Sequence, residues 1–86
     1  MRLARTERFK SAWRQLDETE KALGKKAIEN LLHNPRYPSL RVKKIKGFVG
    51  IWEARVSRNI RITFEISQDT IVLRNIGAHD ETLGNP

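Results

Sequence analysis

Positive charge in this 86-residue chain is concentrated in one stretch, residues 36–61. This stretch holds eight Lys or Arg side chains and a single acid, Glu53, so its net charge of +7 equals that of the whole chain. The other 60 residues carry nine basic and nine acidic side chains, which cancel. Because the excess is confined to one segment, we expect the positive charge to lie on one side of the folded domain. The partner that such a surface favours is a polyanion, above all nucleic acid.

Composition limits the kind of protein that carries this stretch. With 38% hydrophobic and 31% charged side chains, residues 1–86 are expected to fold as one globular domain. The absence of cysteine excludes a disulfide scaffold and fits a reducing cytoplasm, and two histidines are too few for a metal centre. No apolar run is long enough to span a membrane, and no secretory signal begins the chain. We therefore expect a cytoplasmic protein that needs no metal, cofactor or membrane.

The first third of the sequence has the period of two amphipathic helices. Thr6 is a suitable N-cap, and apolar residues follow it at helical spacing: Phe9, Ala12, Trp13 and Leu16. A second helix should begin at Asp17 or Thr19 and end before Pro35, because the residue before proline avoids the helical region. Its buried residues are expected to be Leu23, Ala27, Ile28, Leu31 and Leu32. The very short connection predicts an antiparallel helical hairpin.

From Leu40 onward the hydrophobic period changes to two, which is typical of strands. Strands are expected at 40–46, 51–57, 60–66 and 70–76, and Gly47 and Gly77 should end the first and the last of them. The order predicts an α+β fold, with the N-terminal helical hairpin packed on one face of an antiparallel sheet of about four strands. Residues 2–5 could add a short N-terminal edge strand.

Strand alternation assigns the side chains of this sheet to two faces. The face under the helices would contain Trp52, Ala54, Val56, Ile60, Ile62, Phe64 and Ile66. The opposite face would be left to solvent, and we expect function there. It would carry Glu53, Arg55, Arg61, Thr63 and Glu65.

Five motifs follow one another along the chain. They are Pro35 after two helices, Leu-x-x-Lys-Lys-Ile-Lys-Gly at 40–47, Gly-Ile-Trp-Glu-Ala-Arg-Val at 50–56, Ile-Arg-Ile-Thr-Phe at 60–64 and Ile-Gly-Ala-His-Asp-Glu at 76–81. This ordered set covers nearly the whole chain and resembles the RelE/ParE superfamily of toxins from bacterial type II toxin–antitoxin systems. The resemblance implies a ribosome-dependent, metal-free mRNA endoribonuclease that inhibits translation. Alternatively, it implies a ParE-like non-catalytic toxin that inhibits DNA gyrase. Either would have a cognate antitoxin as partner.

The resemblance also implies which residues would act in the ribonuclease. Arg55 and Arg61 match basic residues on neighbouring strands, and His79 matches a basic or imidazole group in the C-terminal segment. The guanidinium groups would stabilise the charged phosphorus centre, and the imidazole would transfer a proton. At Glu53 this chain departs from the pattern, because one branch has lysine there, and the C-terminal tyrosine of some members is absent. Glu53 could act as base, but a carboxylate held between two arginines is a poor one, which favours His79.

The remaining basic residues would hold the RNA backbone without reading its sequence: Arg41, Lys43, Lys44, Lys46 and Arg58. Trp52 could stack on a base, but its strand parity favours the core. A plain nucleic-acid-binding module is the third function that fits the sequence. Because Arg61 is expected to face solvent, its replacement by alanine should abolish toxicity and leave folding intact.

Overall fold

The computed structural model describes residues 1–86 and has three α-helices and a five-stranded sheet. The sheet order is β1-β5-β4-β3-β2, in which β1 runs parallel to β5 and all other neighbours are antiparallel. The expected α+β fold is confirmed, and the N-terminal strand makes the sheet a mixed one. In chain order the elements are β1 Arg2–Arg5, α1 Glu7–Arg14, α2 Glu18–His33, a 3₁₀ turn Pro38–Leu40, β2 Lys43–Lys44, β3 Trp52–Arg55, β4 Ile60–Ser67, β5 Thr70–Ala78 and α3 His79–Gly84.

Both long helices begin at the residues that the sequence predicts. The Thr6 side chain accepts a hydrogen bond from the backbone N–H of Phe9 at 3.0 Å, and its hydroxyl donates to the carbonyl oxygen of Arg74 at 3.1 Å. Asp17 caps α2 in a capping box, in which Asp17 and Glu20 each accept from the other's backbone N–H. Thr6 therefore both starts α1 and fastens the chain to β5.

Gly24 lies in the middle of α2, where glycine is normally unfavourable. A Cβ atom at this position would lie 2.7 Å and 2.9 Å from two ring atoms of Trp13. The glycine is therefore explained by the close approach of α1 and α2.

The helices and one face of the sheet enclose the core, whose thirteen buried side chains include Phe9, Leu31 and Leu40. The sheet contributes Ala54, Ile60, Ile62 and Phe64, as alternation predicts. Trp52 and Val56 are partly buried against the core, as is Leu32. Two expectations were wrong. Leu23 is 39% exposed on α2, and Ile66 is 43% exposed, because β4 extends beyond the area that the helices cover.

The expected long strand at 40–46 was wrong. Pro38–Leu40 forms a 3₁₀ turn, and Arg41 follows it in the left-handed region with φ 46°, so only Lys43 and Lys44 pair with β3. Proline favours the start of such a turn, because its ring already fixes φ near the helical value. The result is a two-residue edge strand that carries two exposed lysines.

The sheet face opposite α1 and α2 is not bare, contrary to the expectation from alternation. The α3 helix and the two residues after it fold back over β4 and β5, and Thr63 is completely buried beneath them. The Thr63 hydroxyl and Arg74 Nε both donate to the carbonyl oxygen of Pro86, each at 3.1 Å. Gly77 does not end β5, which continues to Ala78. A Cβ at Gly77 would lie 2.9 Å from Thr82 Oγ1, so glycine allows α3 to pack closely.

Candidate functional site

The structure brings Arg55, Arg61 and Glu53 together at one end of the β3–β4 pair. Arg55 lies directly opposite Arg61, and Glu53 lies opposite Thr63, so all four side chains belong to one face. Arg55 is partly buried, and its guanidinium group forms no ion pair. Because α3 and the residues after it cover the neighbouring Thr63, that part of the face is closed to a ligand.

Arg61 does not face solvent, and that expectation is corrected. Its side chain is 15% exposed, and its Nη1 lies within hydrogen-bonding distance of the carbonyl oxygens of Ser57 (2.7 Å), Ile60 (3.1 Å) and Arg58 (3.3 Å). The guanidinium group thus fastens the β3–β4 turn. The expected strands at 51–57 and 60–66 leave a short turn between them. An arginine just after such a turn was the available signal that its guanidinium group could bind the carbonyl oxygens of the turn.

Glu53 is also buried, contrary to the expectation of an exposed side chain. It is 10% exposed and lies 3.8 Å from Arg61, between Oε1 and Nε. A carboxylate in this position orients the guanidinium group and has little access to a substrate, so the structure favours a positioning role for Glu53.

Burial and the neighbouring charges do not all act on the pKa of Arg61 in the same direction. Burial is the main influence that lowers the pKa of Arg61, repulsion from Arg55 and Arg41 lowers it further, and Glu53 raises it. An arginine remains protonated at neutral pH even when its pKa is lowered. Arg61 is therefore a fixed positive charge near two other guanidinium groups.

His79 begins α3 beside the same turn. Its backbone N–H donates to the carbonyl oxygen of Asn59 at 2.8 Å, and Arg61 pairs with Gly77, two residues before it. Its side chain is 49% exposed, and Nδ1 lies 2.8 Å from an oxygen of Asp80. The segment that carries His79 is therefore attached to the turn that holds Arg61, and Nε2 is the ring nitrogen left for a substrate.

The five residues expected to bind phosphate are all exposed, and none forms an ion pair. On β2, Lys43 lies opposite Glu53 and Lys44 lies opposite Trp52, so the two lysines belong to opposite faces of the sheet. Lys44 Nζ lies 5.4 Å from the centre of the Trp52 ring, in cation–π geometry. The five residues expected to bind phosphate are thus Arg41, Lys43, Lys44, Lys46 and Arg58.

No three His, Asp or Glu side chains come close enough together to bind a metal ion. None of the helices has the length and apolar character needed to cross a membrane.

Solved structures supply the comparison, since no family model matches this sequence and a search of curated protein sequences finds no match. The toxin in the intact RelBE toxin–antitoxin complex of E. coli is 21% identical, with a TM-score of 0.73, and 92% of this chain and 96% of that one are covered. The YoeB/ParE toxin from Agrobacterium tumefaciens is 19% identical, with a TM-score of 0.78 and coverage of 92% and 99%. YafQ from E. coli strain BL21(DE3) is 12% identical, with a TM-score of 0.80 and coverage of 95% and 98%. The resemblance noted in the sequence is thus confirmed at the level of structure: the chain has the fold of the RelE/ParE toxins.

Proposed function

We propose that this chain is the toxin of a type II toxin–antitoxin pair and that it cleaves mRNA on the ribosome. The observation that carries the proposal is the direct pairing of Arg55 with Arg61 beside the turn to which His79 is attached. The fold supports the toxin role, because the RelBE toxin–antitoxin complex and the YoeB/ParE toxin contain it.

Each residue has a defined part in this reaction. The 2′-oxygen of one nucleotide attacks the adjacent phosphorus and loses its proton, the bond to the 5′-oxygen breaks, and that oxygen gains a proton. Arg61, held by the turn and by Glu53, supplies a fixed positive charge for the phosphorus centre. Arg55, which has no acidic partner, binds a phosphate oxygen directly. His79 transfers one of the two protons through Nε2, either from the 2′-hydroxyl or to the 5′-oxygen, and water accepts or supplies the other.

The proposed protein partner is an acidic antitoxin. The E. coli RelE protein has been crystallised in a complex with RelB. In this chain the excess of seven positive charges and the unpaired lysines of β2 favour a partner segment rich in Asp and Glu. Such a segment would compete with RNA for the same charges, which accounts for silencing.

The test is cleavage of a defined mRNA by the purified chain, with and without translating ribosomes. Mapping of 5′ ends should reveal new ends at the codon in the ribosomal A site only when ribosomes are present. Arg55→Ala should abolish these ends, and Arg14→Ala, at an exposed arginine on α1, is the matched control that should keep them. Intact mRNA with the unaltered chain would contradict the proposal.

Inhibition of DNA gyrase is the second candidate. The observation that favours it is that Arg61 is occupied by three carbonyl oxygens and Glu53 is buried, which leaves His79 as the one exposed proton-transfer group of the set. Expression should then cause stalled gyrase–DNA cleavage complexes while translation continues. Harmless expression with neither effect would favour a plain nucleic-acid-binding module.

A further inference from the structure

A second recess lies at the other end of the β3–β4 pair, outside the candidate active site. It has a volume of about 660 Å³, within the usual range for ligand pockets. Trp52 and Ile66 are among its lining residues, and Trp52 belongs to the sheet face opposite Glu53 and Arg61. We call this recess the Tyr37 cleft. It is lined by Asn34, Pro35, Arg36, Tyr37, Pro38, Arg41, Val42, Trp52 and Ile66.

The side chains that line the Tyr37 cleft combine aromatic rings with positive charge. Its only charged groups are the guanidinium groups of Arg36 and Arg41, and no carboxylate lines it. By contrast, the groove of about 520 Å³ between α1 and α2 includes Glu29, and the recess beside α3 includes Glu20 and Glu81. A ligand that matches the Tyr37 cleft therefore has a flat, partly apolar body and a negative charge, which are the properties of a nucleotide.

The backbone around Tyr37 is held by successive turns. Tyr37 N donates to the carbonyl oxygen of Asn34 at 2.9 Å, and Leu40 N donates to the carbonyl oxygen of Tyr37 at 3.0 Å. The Asn34 side chain accepts from the backbone N–H of Arg36 at 3.0 Å. Tyr37 itself is 43% exposed, so its ring is available on a rigid support. Stacking on a ring whose backbone is already ordered loses less conformational entropy than stacking on a ring in a mobile loop.

The cleft and the candidate active site are close enough for one strand of RNA to reach both. Trp52 and Arg55 begin and end β3, so they lie roughly 10 Å apart along the strand. Between the two faces runs the edge strand β2, with Lys43 on the side of Glu53 and Lys44 on the side of Trp52. Arg41 borders the cleft and is also near enough to Arg61 to lower its pKa.

We propose that the Tyr37 cleft seats one nucleotide of single-stranded RNA, with Tyr37 stacking on the base and Arg36 and Arg41 binding the neighbouring phosphates. The proposal rests on the proposed function in taking RNA as the substrate. It adds a binding site for a nucleotide other than the one whose phosphate is cleaved. The site reads no base sequence, because every base has a face on which an aromatic ring can stack.

The test is binding of a fluorescein-labelled 2′-O-methyl oligoribonucleotide to the 86-residue chain, measured by fluorescence anisotropy without ribosomes. The 2′-O-methyl group prevents attack by the 2′-oxygen, so the probe is not consumed. Tyr37→Ala should raise Kd by about 5- to 100-fold, which corresponds to the loss of one stacked base. Tyr37→Phe keeps the ring and should stay within about twofold.

Phe48 provides a matched control for Tyr37. It is an aromatic residue that is also 43% exposed, but it lies in the loop between β2 and β3 and does not line the cleft. Phe48→Ala should therefore leave Kd within about twofold of the unaltered chain. If Phe48→Ala weakens binding as much as Tyr37→Ala does, the stacking surface is the loop and the proposal is wrong. It is equally wrong if Tyr37→Ala has no effect or if the unaltered chain does not bind the probe.

Salt dependence tests the two arginines. Replacement of Arg36 or Arg41 by alanine should reduce the slope of log K against log salt by about 0.7 each, the value for one phosphate contact to a single strand. An unchanged slope in both variants would exclude phosphate binding by the cleft. Because the assay contains no ribosome, its result is separate from that of the cleavage test. If binding of the probe needs Tyr37 but the mRNA stays intact in the cleavage test, the proposal for the Tyr37 cleft stands and the proposed activity is wrong.

Discussion

Two groups of positive charge in this chain look alike in the sequence and differ in the structure. Arg61 lies inside a network of carbonyl oxygens and an ion pair, with 15% of its side chain exposed. Lys43, Lys44 and Lys46 lie on or beside a two-residue edge strand and have no acidic partner. A charge that is already bonded within the protein holds its neighbours in place and is costly to remove, whereas an unpaired one binds a polyanion directly.

His79→Ala should produce the largest effect. Like the lysines of β2, and unlike Arg61, its side chain is exposed. If its imidazole transfers a proton, ribosome-dependent cleavage should fall by about 10²- to 10⁴-fold. The free energy of unfolding should change by less than about 0.5 kcal/mol, because the side chain is exposed. Asp80→Ala removes the partner of Nδ1 but keeps the imidazole, and single-turnover rates should rank it well above His79→Ala. Equal rates for the two variants would contradict proton transfer by His79.

Arg61→Ala tests the bonded side of the comparison. It removes the contacts to the turn and leaves Glu53 buried without its partner, so the free energy of unfolding should fall by about 2–4 kcal/mol. Arg58→Ala, at the exposed arginine of the same turn, is the control and should stay within about 0.5 kcal/mol. Urea unfolding followed by tryptophan fluorescence measures both. Unchanged stability in Arg61→Ala would restore the view that its side chain faces solvent.

Glu53→Gln separates a positioning role from a catalytic one. The amide keeps the shape of the carboxylate but loses its charge, so we expect about 1 kcal/mol of destabilisation and less than a tenfold fall in cleavage rate. If Glu53 were the general base, the rate would fall by two orders of magnitude or more while stability hardly changed. The pair of measurements, unfolding and single-turnover cleavage, therefore has opposite outcomes under the two roles.

Replacement of Lys43, Lys44 or Lys46 by alanine should give the smallest effects. Each variant should weaken RNA binding a few-fold and reduce the salt slope by about 0.7, with little change in stability. In Lys44→Ala the free energy of unfolding should also fall by about 0.5 kcal/mol, because the cation–π contact with Trp52 disappears. Lys25→Ala, at an exposed lysine of α2, is the control for charge alone. A similar slope change in Lys25→Ala would mean that net charge, rather than the position of β2, determines binding.

Local signals were sufficient for much of the fold. Thr6 and Asp17 each start a helix through contacts within three residues, and alternation correctly assigns Ala54, Ile62 and Phe64 to the core. The position of Arg55 and Arg61 on one face of neighbouring strands follows from a short turn between two regular strands. These features depend on neighbours in the sequence, which is why the sequence predicts them.

Some of the features that were missed depend on distant contacts, and others depend on local turns that strand alternation does not describe. Burial of Thr63 requires α3 to return over the sheet, and no local pattern in β4 indicates this. Ile66 has the spacing of a core residue but lies beyond the helices, and Arg41 leaves the strand conformation because of the turn that begins at Pro38. Arg61 has the parity of an exposed residue, yet the carbonyl oxygens of the turn surround it.

The parallel pairing of β1 with β5 has a consequence for how the chain is made. The residues of β1 are synthesised well before those of β5, the strand beside which they lie, and Thr6 donates to a carbonyl 68 residues later. Pairing over such a separation is slow and cannot begin before both segments have been translated. The β1–β5 edge of the sheet is therefore completed only after β5 has been translated, whereas the β3–β4 pair that holds Arg55 and Arg61 needs neither of these strands. A protein that binds the nascent chain has that interval in which to cover the unpaired residues of β1.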